Sequence, residues 1–128
     1  MMTNTKMSIF NRYVNPTTKS VIFKRHIIDN VFWDSYIEVD QDKGHSKSNS
    51  VQVFIPKDKN DLSELVNPNE YDGKNNWTIN TGDYIVKGIV ESETVNKISE
   101  LENAFTVTFV DDKDYGSPNM HHIEIKGE

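Results

Sequence analysis

Hydrophobic and polar residues alternate with a period of two along several short stretches of this chain, which is the pattern of half-buried β-strands. The clearest case is residues 50–55, where Val51, Val53 and Ile55 share one face and Pro56 ends the stretch. Similar stretches are separated by turn-forming residues such as Asn15-Pro16 and Asp29-Asn30. The pattern predicts a mainly β (β-rich α+β) fold, a small antiparallel β-barrel or sandwich of about six or seven strands. The predicted strands cover residues 7–14, 20–28, 31–39, 50–55, 82–89, 105–110 and 119–126.

One stretch has the helical period instead. Val95, Ile98, Leu101 and Phe105 follow one another at spacings of three and four residues, which puts them on one helix face. Ser92 or Thr94 could cap its first turn. We therefore predict one short helix over residues 94–104, held by packing because so short a helix is not stable alone.

Two polar stretches carry few hydrophobic residues, and we predict that both are long loops. They are residues 36–49 and residues 57–76. Residues 1–6 are predicted to form a flexible N-terminus. At 128 residues, the chain is expected to be a single barrel-like domain, residues 1–128. Long loops in so small a domain usually serve function or partner contact.

Composition and charge exclude several classes of function. The chain has no cysteine, which rules out disulfides, thiolate zinc sites and a cysteine nucleophile. Its net charge is −6, with 20 acidic and 14 basic side chains, which argues against a dedicated DNA-binding module. No apolar run reaches the roughly 18 residues of a membrane span, and we expect neither a signal peptide nor a membrane partner.

The residues that could carry chemistry do not form a recognisable catalytic or metal-binding motif. Asp111, Asp112 and Asp114 precede Gly116, but their spacing does not match the ligand positions of a calcium-binding loop. His121 and His122 are neighbours, and neighbours on a strand point to opposite faces. The sequence also lacks the nucleophile elbow and the phosphate-binding glycine patterns. We therefore expect no enzyme activity, no catalytic residue, no metal and no cofactor.

The aromatic residues allow two interpretations, core packing or a nucleic-acid stacking face. Most fall at predicted inward positions without interleaved basic residues, which favours core packing. They are Phe32, Trp33, Phe54, Trp77, Tyr84, Phe105, Phe109 and Tyr115.

The order of these motifs resembles that of small neck proteins of long-tailed phages and prophages, the head–tail joining or head-closure group and related uncharacterised phage structural proteins. The likeness spans nearly the whole chain, and the stretch Thr81-Gly82-Asp83-Tyr84-Ile85-Val86-Lys87-Gly88 is its most specific part. The other parts are Tyr13-Val14-Asn15-Pro16-Thr17-Thr18, Lys24-Arg25, Val31-Phe32-Trp33, Val51-Gln52-Val53-Phe54-Ile55-Pro56, the predicted helix, and Asp114-Tyr115-Gly116-Ser117 followed by Met120-His121-His122.

This resemblance implies a non-enzymatic virion protein of the head–tail connector. Copies would form a ring between the portal complex and the tail, in contact with portal, adaptor and tail proteins, and DNA would pass nearby without specific binding. The resemblance locates the protein in the virion neck, and in the host cytoplasm during assembly. In such proteins a long loop between early strands projects toward the channel, and here residues 36–49 match it best. The candidate channel or interface residues are Glu38, Asp40, Asp42, Lys43, His45 and Lys47.

Two alternatives stay open at this point. One is another tail component, a tail terminator or a minor tail protein, because residues 57–76 are longer than a minimal joining protein needs. The other is a small-barrel module that binds a ligand or nucleic acid.

Overall fold

The structure is a computed structural model that describes residues 2–40 and 46–128, with side chains described except at residues 37–40 and 46–48. Seven β-strands make up most of it, joined by 3-10 turns of three residues. The strands are β1 (Thr5–Val14), β2 (Val21–Asp40), β3 (Ser46–Pro56), β4 (Tyr84–Lys87), β5 (Thr94–Val95), β6 (Phe105–Lys113) and β7 (His122–Gly127).

The strands pair in the order β1-β4-β6-β7-β3-β2-β5, and β2 also pairs with β1. Six of them therefore close into a barrel-like ring, with the short β5 attached to β2. Every strand pair is antiparallel. The prediction of a mainly β, antiparallel fold of about six or seven strands is confirmed.

Strand β2 is a single strand of 20 residues, so the predicted turn at Asp29-Asn30 is wrong. Its first half pairs with β1 and its second half pairs with β3. The register against β1 shifts where Val31 faces Thr5 and Ile28 faces Met7, so β2 has an extra residue there. Asp29 and Asn30 thus mark a β-bulge, at which a strand bends and changes partner.

The predicted helix at residues 94–104 is wrong. Val95 is buried in β5 opposite Phe23, and a single 3-10 turn, Ile98–Glu100, follows it. The Glu100 carboxylate accepts hydrogen bonds from the backbone N–H groups of Asn96 and Lys97, which favours one tight turn over a continuing helix. The hydrophobic spacing reflects packing against the outside of the ring rather than a helix face.

The predicted loop at residues 36–49 is wrong for most of its length. Residues 36–40 continue β2 and residues 46–49 begin β3, and the two pair in register up to Asp40 opposite Ser46. Backbone hydrogen bonding can extend a hairpin through polar sequence, because it does not depend on side-chain type. Residues 41–45 lie outside the described residues.

The second predicted loop, residues 57–76, is confirmed as a long connection. It contains two 3-10 turns, Lys57–Lys59 and Pro68–Glu70, and one bridge between Leu65 and Trp77. The predicted flexible N-terminus is wrong for residues 4–6, because β1 begins at Thr5 and the Asn4 side chain hydrogen-bonds to the backbone of Trp33.

The main hydrophobic core fills the ring, and a smaller cluster around Phe10 and Phe23 lies under β5. Trp33 and Trp77 are buried, as predicted for the aromatic residues. Phe109 and Tyr115 are 40% and 70% exposed and lie outside the core. In the described part of the chain no helix has the length and hydrophobicity needed to cross a bilayer.

Candidate functional site

A two-stranded ribbon extends from one end of the ring. Strand β7 last pairs with β3 where Gly127 faces Val51, whereas β2 and β3 go on pairing for five more residue pairs. Among the described residues, this ribbon consists of residues 36–40 and 46–50. At about 3.3 Å per residue it is about 16 Å long.

The ribbon carries half of the predicted channel residues. Glu38 faces Ser48, Asp40 faces Ser46, and Lys47 faces Val39. The other three, Asp42, Lys43 and His45, lie outside the described residues. The structure thus places Glu38, Asp40 and Lys47 on one ribbon, and their role at a channel stays a prediction.

A groove of about 1180 Å³ opens at the base of the ribbon. Its apolar floor includes Trp33 and Phe105, whose rings meet edge to face with centroids 5.8 Å apart. Open ends of β-barrels commonly form binding sites of this kind. We refer to this feature as the ribbon groove. The lining residues are Trp33, Ser35, Tyr36, Asn49, Val86, Lys87, Ile89, Val90, Glu91, Ser92, Glu100, Leu101, Glu102, Asn103 and Phe105.

Acidic side chains dominate the rim of the ribbon groove. Glu91, Glu100 and Glu102 line it together with a single basic residue, Lys87. The wall is fixed in place by Arg25, whose Nη1 donates hydrogen bonds to the carbonyl oxygens of Val90, at 2.5 Å, and Glu91, at 3.0 Å. The rim is therefore both negatively charged and held in position.

A buried polar network links β1 to the segment before β4, and the sequence did not reveal it. The Asp83 carboxylate accepts hydrogen bonds from the backbone N–H groups of Arg12 and Asn80 and from Nδ2 of Asn11. Asn11 also exchanges two hydrogen bonds with the backbone of Thr78. Burial raises the pKa of the Asp83 carboxyl, and its hydrogen-bond donors oppose that rise. The turn residues Thr81-Gly82-Asp83 were the only signal of this network in the sequence.

His26 and Trp77 form a second partly polar site, between the connection 57–76 and β2. Their rings stack with centroids 4.2 Å apart and planes 11° apart. Burial lowers the pKa of His26, while the carboxylates of Glu64 and Asp29 oppose that shift. The backbone of Trp77 bonds to that of Glu64 and Val66, so this stack fixes the connection against the ring.

The acidic segment at residues 111–114, which superficially resembles a calcium-binding loop, forms ion pairs with two lysines. Nζ of Lys57 lies 2.6 Å from Asp112 and 2.5 Å from Asp114, and Nζ of Lys113 lies 2.8 Å from Asp111. Within the residues that the structure describes, no group of three or more acidic or histidine side chains is arranged to hold a metal ion. His121 and His122 are both half-buried; Nδ1 of His121 lies 3.7 Å from Asp114, and His122 faces Lys113 across the β6–β7 pairing.

Two lysines on the outer face of the ring lie over exposed aromatic rings. Nζ of Lys126 is 5.2 Å from the ring centre of Phe109, and Nζ of Lys113 is 5.8 Å from that of Tyr115. Basic residues thus accompany Phe109 and Tyr115, two of the exposed aromatic residues. Acidic Asp111 and Glu124 lie on the same face, opposite each other.

Comparison with known proteins gives one match. A family model described as a family of unknown function (DUF6751) matches residues 2–128, and the chain belongs to this family. No curated protein and no solved structure matches it.

Proposed function

We propose that this DUF6751 protein is a non-enzymatic virion protein of the phage neck, a head-closure or joining subunit that forms a ring between the portal complex and the tail. It acts as a building block, and its partners are copies of itself and the portal, adaptor and tail proteins. Its place of action is the virion neck.

The observation that carries this proposal is the ribbon that extends from a closed ring of strands. A ring of paired strands leaves few free edges, which suits a rigid unit packed beside copies of itself. The ribbon reaches beyond that ring by five described residue pairs. An element of this form can reach a channel or a neighbour while the ring stays fixed.

The acidic residues of the segment 36–49 suggest how DNA would pass. Glu38, Asp40 and Asp42 would repel the phosphate backbone, so the conduit would not hold its cargo. Changing all three to lysine should slow DNA ejection from assembled particles. Unchanged ejection rates would contradict this part of the proposal.

A pull-down tests the proposal as a whole. Tagged protein is recovered from the source culture after prophage induction, and the bound proteins are identified by mass spectrometry. We expect portal, adaptor and tail proteins. Recovery of tail proteins without portal or adaptor would point to a tail terminator or minor tail protein, and recovery of no virion protein would overturn the proposal.

A small nucleic-acid-binding module is the second candidate, favoured by the two lysine–aromatic pairs on the outer face. Aromatic rings with nearby cations can stack the bases of single strands. Retention on single-stranded DNA, lost steeply with salt and abolished by Phe109→Ala with Tyr115→Ala, would support this function over the first.

A further inference from the structure

The turn between β1 and β2 is a rigid projection at one end of the ring. Oδ1 of Asn15 accepts hydrogen bonds from the backbone N–H groups of Thr17 and Thr18, at 2.9 Å and 3.1 Å. The backbone of Asn15 bonds to Ser20 and Lys19 across the turn. Residues 16–20 are all exposed. We call this projection, residues 14–21, the hairpin knob; because it is already ordered, docking it would cost little conformational entropy.

The hairpin knob belongs to a segment with only positive charge. Residues 1–28 contain no acidic residue. The ribbon groove is lined by Glu91, Glu100 and Glu102 against Lys87, with the Arg25 guanidinium behind its wall at Val90 and Glu91, so acidic side chains still outnumber basic ones there. The two surfaces are therefore complementary in charge, and each has an apolar part, Val14 on the knob (40% exposed) and Ile89 in the groove (60% exposed). Of the basic residues of the segment, Lys19 lies on the knob and Arg12 lies two residues before it, whereas the other three bond within their own chain: Lys6 to Asp29, Lys24 to the Gly73 carbonyl, and Arg25 to the Val90 and Glu91 carbonyls.

The knob of one chain is too far from the Lys87 and Ile89 end of its own groove to fill it, although the Glu100 end lies nearer, beside the strand β5 that pairs with Phe23. Lys87, in the groove, pairs with Met7 near the start of β1, whereas the knob begins at Val14 at the end of the same strand. Seven residues of strand separate them by about 23 Å. Two complementary surfaces at opposite ends of a chain generate head-to-tail contacts between copies.

We propose that the hairpin knob of one copy docks in the ribbon groove of a second copy. Lys19 and Arg12 then face the glutamates of the rim, and Val14 and Pro16 cover the apolar floor beside Trp33 and Ile89. Repetition of this contact closes a ring when the rotation per copy allows it. The inference rests on the proposed function, since it names the contact by which the neck ring would assemble.

Cysteine cross-linking tests this contact directly, because the chain has no cysteine of its own. Thr17→Cys on the knob and Ile89→Cys in the groove are combined in one chain, which leaves the charges of both surfaces intact. The two positions are too far apart for a bond within one chain, since a disulfide requires Cα atoms within about 7 Å. Mild oxidation of the purified protein should therefore give a ladder of dimers, trimers and larger species on a denaturing gel without reductant.

The matched control combines Thr17→Cys with Asp58→Cys, which replaces an exposed residue on the 3-10 turn Lys57–Lys59 outside the groove. It should give dimers at most. Equal ladders from the two double variants, or no species beyond dimers from the first, would overturn the inference. Melting curves like that of the original protein show that each variant is folded.

Charge reversal provides a second measurement. Lys19→Glu alone or Glu91→Lys alone should reduce the yield of trimers and larger species about tenfold in the cross-linking background, and the pair together should restore it. No restoration would contradict the proposed pairing of charges. The cross-linking result and the pull-down result can be told apart. A ladder of cross-linked species without recovery of virion proteins would overturn the neck assignment but not this contact. Recovery of portal proteins without a ladder would overturn this contact but not the neck assignment.

Discussion

Asn11 and Asp83 meet in the interior, where Nδ2 of Asn11 lies 2.9 Å from Oδ2 of Asp83 and both side chains are at most 2% exposed. They are 72 residues apart in the chain and lie on different elements. Asp83 also accepts hydrogen bonds from the backbone N–H groups of Arg12 and Asn80, so one carboxylate satisfies three donors, of which the Asn11 amide is fully buried.

Replacement of Asp83 should therefore destabilise the fold strongly. Asp83→Ala removes the carboxylate that accepts from the buried Asn11 amide and from the backbone N–H groups of Arg12 and Asn80, and we expect the free energy of unfolding to fall by about 3 kcal/mol. Urea denaturation measures the change. The matched control is Asp58→Ala at an exposed position, which should change the free energy of unfolding by less than about 0.5 kcal/mol. Equal effects of the two substitutions would contradict the structural role of the network.

His26 should make the protein less stable as the pH falls. Its pKa in the folded state is lowered below the ordinary value of 6.5, so the unfolded chain binds the proton more tightly. The free energy of unfolding should be at its full value above pH 6.5 and should decrease as the pH falls through 6.5 toward the lower folded pKa. Denaturation at a series of pH values tests this in the original protein and in His26→Phe, which keeps an aromatic ring against Trp77. The variant should lose less stability over that window; identical pH profiles would contradict the assignment.

Two isoleucines four residues apart distinguish the core from the ribbon groove. Ile85 is fully buried inside the ring, and Ile89 is 60% exposed in the groove. Ile85→Ala should cost about 2 to 5 kcal/mol because it leaves a cavity. Ile89→Ala should cost less than about 0.5 kcal/mol. Thermal or urea unfolding of the two variants measures both, and a large loss from Ile89→Ala would show that this residue supports the fold rather than a surface contact.

Lys57, which pairs with the acidic turn, should contribute a small and salt-sensitive part of the free energy of unfolding. Lys57→Met removes the cation between Asp112 and Asp114, which are largely exposed, so the expected loss is about 0.5 to 1 kcal/mol at low salt. The loss should shrink at high salt because exposed charges are screened. A loss that is the same at both salt concentrations would mean that packing of the lysine stem matters more than its charge.

The sequence predicted the class of fold because alternation of hydrophobic residues directly reports a half-buried sheet. Val51, Val53 and Ile55 are fully buried, as their spacing indicates. The predicted turn at Asp29-Asn30 and the predicted helix failed because strand pairing with distant residues decides these segments, whereas the loop at residues 36–49 failed because its polar sequence conceals a local hairpin. Val95, Ile98 and Leu101 have helical spacing, but pairing with Phe23 draws Val95 into a strand.

The candidate site was only partly predictable for the same reason. The polar run at residues 36–49 correctly marked a segment that reaches away from the core, but its pairing as a ribbon is a matter of backbone register. The ribbon groove combines residues from β2, β3, β4 and the segment before β6, and no local pattern brings these together. Asp83 looked like an ordinary turn residue, because the donors that it satisfies come from β1 and from Asn80.

Strand β2 has a mechanical consequence for any assembly built from this chain. It starts at the hairpin knob and runs through the bulge at Asp29 and Asn30 into the ribbon, a length of roughly 60 Å along the chain at the rise of an extended strand. A load applied at the ribbon would thus travel along one covalent backbone to the opposite end of the same copy. Rows of hydrogen bonds to β1 and β3 on its flanks would share that load in shear, the direction in which paired strands resist separation best. A tube assembled from such units would transmit a pull from one end of each subunit to the other without first unfolding its core.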